Sequence, residues 1–260
     1  MRGIFLLSTI IITKNESHNI QRAVTSAWNI SDEVIVVDHE SSNGTAFLAE
    51  EAGARVIKRR TYPIPIDFSN LWNFAIKQAK YKKVFILAAD ECIHDKDSKH
   101  IRTLAEENVL VRFQIFTFFP TLDHYVDSWF PNLQTRIFPK ECHYRGRINE
   151  TNNLYIENIK IPNKLREGES YGQLYHYGWL NRSWQEYEQK LQWSDLPATK
   201  SIFKSLGLAK FKNTGLTQPK VLERFPIRSP QINSLSIEEI QADMKSANTL
   251  DYFNQKVKKQ

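Results

Sequence analysis

Short apolar runs alternate with amphipathic stretches through the first third of the chain. Residues 4–12 are apolar apart from Ser8 and Thr9 and predict a buried first strand. Ile20, Ala23, Val24 and Ala27 recur at i, i+3, i+4 and i+7, which predicts a helix from a Ser17 N-cap to about Asn29. Glu33–Asp38 predicts the second strand. A helix from Gly44 to Ala52 follows, with Phe47, Leu48 and Ala52 on it and Gly53 as its terminating glycine. Ala54–Lys58 predicts the third strand. Tyr62-Pro63-Ile64-Pro65-Ile66 predicts an extended loop, because each proline fixes its own φ and restricts its predecessor. Asp67 or Ser69 then caps a helix carrying Leu71, Phe74, Ala75 and Ala79, and Lys83–Ala88 predicts the fourth strand. Strands alternating with helices predict a parallel sheet joined by right-handed crossovers.

The pattern changes in the second half. Val109–Phe119 is β-rich and aromatic, and Leu133–Phe138 and Tyr155–Ile161 also predict strands. Asn181–Leu191 and Ser236–Leu250 predict helices. Between Thr199 and Arg228 lie Lys200, Lys204, Lys210, Lys212, Lys220, Arg224 and Arg228, with Glu223 as the sole acid. Prolines 219, 226 and 230 interrupt regular structure there. We expect a main domain over residues 1–180 and an appendage over 181–260 that is helical and partly basic.

Composition narrows the class. Hydrophobic content of 41% and charged content of 25% are those of a folded globular domain, so a disordered chain is excluded. Cys92 and Cys142 form neither a CxxC pair nor a disulfide framework, and a reduced, cytoplasmic setting is expected. The apolar N-terminal run is too short for a membrane span, which needs roughly 20 residues, and it lacks a small-x-small cleavage site. A net charge of +6 fits phosphate-rich small molecules, a membrane surface or nucleic acid and does not choose among them. No zinc-finger spacing or RNP-like motif is present, so no nucleic-acid partner is expected.

Candidate chemistry gathers at strand ends, where open parallel sheets bind their ligands. Asp38 ends the second strand and Ser41-Ser42-Asn43-Gly44-Thr45 follows it. A carboxylate there can accept from a base imide or a ribose hydroxyl, although the same turn can serve simply to cap a helix. Asp90-Glu91 follows the fourth strand, where it can hold a divalent cation or form a solvated acidic turn; His94 and Asp95 nearby are expected to face solvent. His176 lies among aromatics in Leu174-Tyr175-His176-Tyr177-Gly178-Trp179, as a packed histidine or beside Asp90. Glu150, in Arg145-Gly146-Arg147-Ile148-Asn149-Glu150, is either a general base or paired with its arginines. Arg136 faces a phosphate or closes the sheet. No GxGxxG follows the first strand, which argues against a dinucleotide-binding fold. Thr13-Lys14-Asn15-Glu16 lacks the glycine-rich loop of a sugar nucleotidyltransferase.

Taken in order, these stretches resemble the family-2-like glycosyltransferases with the GT-A fold. The bacterial branch that builds lipopolysaccharide cores and other surface glycans is the most similar. The resemblance is carried by Ile11-Ile12-Thr13-Lys14-Asn15-Glu16-Ser17-His18-Asn19-Ile20, by Val34 through Thr45, by Asn73-Phe74-Ala75 and by Leu87-Ala88-Ala89-Asp90-Glu91. Weaker echoes are Arg136-Ile137-Phe138, Ile148-Asn149-Glu150 and His176-Tyr177-Gly178, so that it spans about residues 6–180. It implies a Rossmann-like, mostly parallel central sheet with flanking helices, followed by a small helical C-terminal appendage. It further implies nucleotide contacts from Thr13, Asn15, Glu16, Asp38, Ser41, Asn73 and Asp90. A divalent cation (Mn2+ or Mg2+) falls to Asp90 with His176, base catalysis to Glu150, and acceptor or phosphate contacts to Arg136 and Arg147. The implied partners are a nucleoside-diphosphate sugar, with a UDP-sugar favoured, and a glycan or lipid-linked acceptor. The reaction implied is inverting sugar transfer in surface polysaccharide or lipopolysaccharide synthesis. The basic segment, in which Ile202, Phe203, Leu206 and Leu208 lie among lysines, is either a solvated helix packed on the main domain or a peripheral contact with the inner face of the plasma membrane. Four positions depart from the family pattern: Ala88 for the first aspartate of the DxD motif, Trp72 for arginine, Asn43 for aspartate and Asn149 for histidine. They motivate the alternative of a degenerate relative that binds a nucleotide or glycan without transfer.

Overall fold

A computed structural model of the chain describes residues 5–60, 68–117, 125–126, 132–146, 153–161, 170–178 and 227–228. The first half runs β1 (Leu7–Thr13), α1 (Ile20–Trp28), β2 (Glu33–Asp38), α2 (Thr45–Glu51), β3 (Arg55–Lys58), α3 (Phe68–Gln78) and β4 (Lys83–Ala88). Then come β5 (Glu91–Cys92), α4 (Asp95–Glu107), β6 (Val111–Thr117), β7 (Tyr125–Val126), β8 (Asn132–Pro139) and β9 (His143–Tyr144). The remaining elements are β10 (Leu154–Ile156), β11 (Ile159–Lys160), β12 (Gly172–His176) and β13 (Ile227–Arg228).

Eight strands form one sheet in the order β3-β2-β1-β4-β8-β6-β12-β5. The first four are mutually parallel, as the alternating pattern predicts. β8 then runs antiparallel between β4 and β6, β12 is parallel to β6, and β5 closes the edge antiparallel to β12. Parallel pairs outnumber antiparallel ones, so the expected mostly parallel α/β architecture stands, with a mixed far half. β9, β10 and β11 make a separate small sheet, and β13 pairs with β7.

Side chains alternate across the sheet with period two. Leu7 and Ile11 of β1, Val34 and Val36 of β2, and Phe85 and Leu87 of β4 face α1, α2 and α4 in one core. Ile10 and Ile12, Ile35 and Val37, and Val84 and Ile86 face α3 and the β9–β10 region in the other. Burial on both faces explains why these strands read as continuous apolar runs.

Several boundaries shift for physical reasons. Helix α1 starts at Ile20 rather than just after Ser17, with Asn19 as the preceding residue. Asn15 is in the left-handed region at φ 53°, and Glu16 C=O accepts the N–H groups of Asn19 and Ile20. That turn uses up the residues expected to open the helix. The strand expected over Tyr155–Ile161 is instead the hairpin β10–β11, turning at Glu157 with φ 51°. β6 covers Val111–Thr117 of the longer run expected, with a register shift between Val111 and Arg112 against β8. The proline loop at 62–66, the helix at 181–191, the last helix at 236–250 and nearly all of the basic segment lie outside the described residues. Among the described residues no helix is long and apolar enough to cross a membrane.

Candidate active site at the strand ends

β1 lies between β2 and β4, and the register places Thr13 beside Asp38 and Ile12 beside Ala88. The carboxyl ends of three adjacent parallel strands therefore open on the same edge. Asp38 and Ala88 are two strand spacings apart there, roughly 10 Å, and Asp90 follows two residues later.

Asp38 is 1% exposed. Its Oδ2 accepts the Ser41 N–H at 3.0 Å, but its Oδ1 is buried without a hydrogen-bond partner. Thr13 Oγ1, across the β1–β2 pairing, is likewise buried and unpartnered. Two such neighbouring oxygens are unusual, because buried polar atoms are nearly always satisfied.

The loop after β1 is stapled to the turn after β2. Asn15 N–H donates to Ser41 Oγ at 2.8 Å, Ser42 N–H donates to Asn15 Oδ1 at 2.9 Å, and Glu16 N–H donates to Thr45 Oγ1 at 2.9 Å. Thr45 Oγ1 in turn donates to Asn43 Oδ1 at 2.6 Å. Gly44, at φ 81°, permits the bend that starts α2. The structure thus brings Thr13, Asn15, Glu16, Asp38 and Ser41 together. Burial pushes the pKa of His39 below its ordinary value, which favours the neutral imidazole.

Asp90 and Glu91 are not a solvated turn: they are 7% and 3% exposed. Asp90 Oδ2 lies 3.3 Å from His176 Nε2, and its backbone C=O accepts the Tyr177 N–H at 2.8 Å. Antiparallel pairing of β12 with β5 sets His176 opposite Glu91 and so delivers the imidazole to the neighbouring aspartate. Gly178 makes this approach possible. A Cβ there would sit 2.1 Å from Asp90 Oδ2 and 2.8 Å from His176 Nε2. Glu91 turns inward, its Oε1 accepting from Arg136 Nη2 at 2.7 Å and its Oε2 from the Ala88 N–H at 2.9 Å. Arg136 is accordingly a buried ion-pair partner that closes the sheet, 4% exposed, rather than a group facing a phosphate.

Asn73 sits on α3 with both amide atoms engaged by one backbone unit. Nδ2 donates to Tyr144 C=O at 2.8 Å and Oδ1 accepts the Tyr144 N–H at 2.7 Å. Its role in the structure is to hold β9 against α3. Glu150 and Arg147 lie outside the described residues. His94 caps α4, accepting the Lys96 N–H, and exposed Asp95 accepts from Asn29 Nδ2.

Among the described residues no group of three or more His, Cys, Asp and Glu gathers into a metal cage. Asp90 and His176 still fit a protein's share of a cation site. A hard divalent ion is commonly held by one or two carboxylates together with substrate phosphates. His176 Nδ1 is buried without a hydrogen-bond partner, while its Nε2 faces Asp90. Sequence reasoning assigned no role to Arg22, Tyr177 or Gly178, which shape this corner. Arg22 lays its guanidinium 3.9 Å from the centre of the Tyr177 ring and donates to Asn19, which donates to Glu16. Gly178, two residues past His176, was the only one with a local signal, a glycine amid bulky aromatics.

A sequence model of the family described as "Glycosyl transferase family 2" matches residues 8–194. A protein of Rickettsia prowazekii called an uncharacterized glycosyltransferase is 59% identical over 51 residues, which are 20% of this chain and 18% of that relative. A Rickettsia bellii protein of the same description is 55% identical over 51 residues, 20% of this chain and 17% of its own length. The matched stretch is thus under a fifth of these curated relatives. Among solved structures, glucosyl-3-phosphoglycerate synthase from Mycobacterium tuberculosis, in complex with Mn2+, UDP and glucosyl-3-phosphoglycerate, superposes with a TM-score of 0.37 at 18% identity. That likeness covers 45% of this chain and 46% of the other. S. aureus TarS superposes at 0.39 with 20% identity, covering 52% and 28%.

Proposed function

Because the chain belongs to glycosyl transferase family 2, we propose that it moves a sugar from a nucleoside-diphosphate donor to a hydroxyl of a glycan or lipid-linked acceptor. The observation that carries this reading is the pair of unpartnered buried oxygens, Thr13 Oγ1 and Asp38 Oδ1, on the same sheet edge as the Asp90–His176 pair. The buried carboxylate oxygen calls for a donor, and a base imide N–H or a ribose hydroxyl supplies one. The loop tied down by Ser41 and Thr45 holds Asn15 and Glu16 beside that position. The reading favours a UDP-sugar donor, whose base carries an imide.

Asp90 and His176 are the residues to hold Mn2+ or Mg2+, which when bound screens the charge growing on the departing diphosphate. Glu150 takes the proton of the acceptor hydroxyl as it attacks from the face opposite the leaving group, inverting the anomeric carbon. Arg147 contacts the acceptor or a phosphate. The site belongs to a domain over residues 1–180, with 181–260 as an appendage whose lysines contact an anionic membrane surface. Lipopolysaccharide or other surface-glycan synthesis on the inner face of the plasma membrane is the setting this reading favours.

Hydrolysis and transfer screened over a panel of nucleotide sugars test it. Turnover of at least one donor, abolished in Asp90→Ala, is expected; no turnover of any donor would contradict it. The second reading, a degenerate binder, is favoured by Ala88, which leaves the strand end without the family's first carboxylate. Sugar transfer by the unaltered chain removes it.

A further inference from the structure

A cleft of about 600 Å³ opens between α3 and β9 on the flank of the strand-end site. Its wall includes Arg59, Ser69, Asn70, Phe74, Lys77 and Gly146. Asn70, Asn73, Phe74 and Lys77, all on the cleft wall, fall at i, i+3, i+4 and i+7 and so lie along one side of α3. The cleft adjoins the proposed donor pocket through the backbone, since Arg59 N–H donates to Asp38 C=O at 2.9 Å.

The charge of this cleft is one-sided. Two cations, Arg59 and Lys77, line it, and no acid is among its described lining residues. Neither makes an ion pair with a described residue. The Arg59 guanidinium is held flat, 3.6 Å from the centre of the Phe74 ring, and its Nε is buried without an acceptor. A planar guanidinium fixed by stacking is preorganised for bidentate bonding to an oxyanion. Ser69 and Asn70 add neutral donors beside it.

We propose that this cleft binds an oxyanion carried by the acceptor, a phosphate or a carboxylate on the sugar or lipid-linked glycan that receives the transferred residue. The inference rests on the glycosyltransferase reading and names the chemistry of its second substrate. Arg59 is the orienting contact and Lys77 the second charge. A neutral acceptor offers Arg59 only hydroxyl oxygens and no opposite charge, so the stronger charge-assisted bond to an oxyanion gives the cleft a means of discrimination.

The test is titration of the full chain with glucose 6-phosphate, glucuronate and glucose, in parallel with UDP, for the unaltered protein and for Arg59→Gln, Arg59→Lys and Lys77→Gln. One or both anionic sugars are expected to bind at least about tenfold more tightly than glucose, a gap of about 1.4 kcal/mol. Which one binds separates phosphate from carboxylate. Arg59→Gln should abolish the preference, Arg59→Lys should keep part of it, and exposed Lys77→Gln should weaken it without disturbing the fold. UDP affinity should be the same in all four proteins. Equal binding of glucose and the anions overturns the proposal, as does no binding of either anion up to about 10 mM, where millimolar ligands register. A parallel fall in UDP affinity also overturns it, by assigning the cleft to the donor. Failure of UDP and every other nucleotide to bind the unaltered chain would instead count against the transferase reading.

Discussion

Gly178 sets how closely Asp90 and His176 can meet, because any β-carbon would occupy the space the Asp90 carboxylate now fills. Gly178→Ala should therefore push the carboxylate aside while leaving the sheet intact. A shift of this size in a cation-holding group is expected to lower turnover on the order of a hundredfold. Mn2+ affinity should fall in the same variant, and the melting temperature should change little. Unchanged Mn2+ binding would show that Asp90 does not hold the ion. A second residue-scale expectation concerns Glu33 at the opposite end of the sheet. Burial alone would raise its pKa, yet hydrogen bonds from the Ser8 hydroxyl, the Lys80 N–H and Arg55 hold it below 4.5. A folded-state pKa below the unfolded one contributes stability that is present above about pH 4.5 and lost as pH falls through the lower folded value. Glu33→Gln should thus be less stable than the unaltered protein at pH 7, by about 1–3 kcal/mol. The gap should narrow in denaturant titrations below pH 4.5. A gap that widened on acidification would refute the assignment.

At the scale of elements, the far half of the main sheet and the small β9–β11 sheet are fastened by side chains that looked catalytic or anonymous in the sequence. Arg136 on β8 ties to Glu91 on β5, and Asn73 on α3 ties to the Tyr144 backbone on β9. Removing one member of a buried ion pair leaves the other uncompensated, so Arg136→Ala is expected to cost about 3–5 kcal/mol. Asn73→Ala leaves two backbone groups of Tyr144 without partners and should cost about 1–3 kcal/mol. Equilibrium unfolding of both variants checks these values, and a loss of nucleotide affinity without a loss of stability in Asn73→Ala would return that residue to the site. The near half was legible because β2 and β4 are continuous apolar runs with acids at their ends, and their limits match the structure. The far half was less so. β5 and β12 are short and meet only through a pairing of distant residues. Helix α4 went unread although Ile101, Leu104 and Ala105 sit at helical spacing, because its remaining face is charged and its start abuts the acidic pair. The acceptor-side candidates Glu150 and Arg147 carried no periodic signal.

For the whole molecule, the sheet order is what joins separate motifs into one site. β1, lying between β2 and β4, brings the Thr13 loop, the Asp38 turn and the Asp90 corner to one edge, and β12 carries His176 back to it. Sequence order alone revealed the first three; the return of β12 depended on packing. The proposed membrane contact belongs to this scale too. Replacing Lys200, Lys204, Lys210 and Lys212 together by glutamine should reduce flotation with anionic liposomes, since each lysine near such a surface contributes about 1 kcal/mol. Equal recovery of both proteins would remove that contact. The most direct test of the shared site is calorimetric titration of the full chain with UDP and other nucleoside diphosphates, with and without Mn2+, alongside Asp38→Ala and Asp90→Asn. The account predicts binding that Mn2+ tightens, an Asp90→Asn variant that loses only the Mn2+ increment, and an Asp38→Ala variant weakened under both conditions. Absence of binding by every nucleotide, with or without the ion, would contradict it.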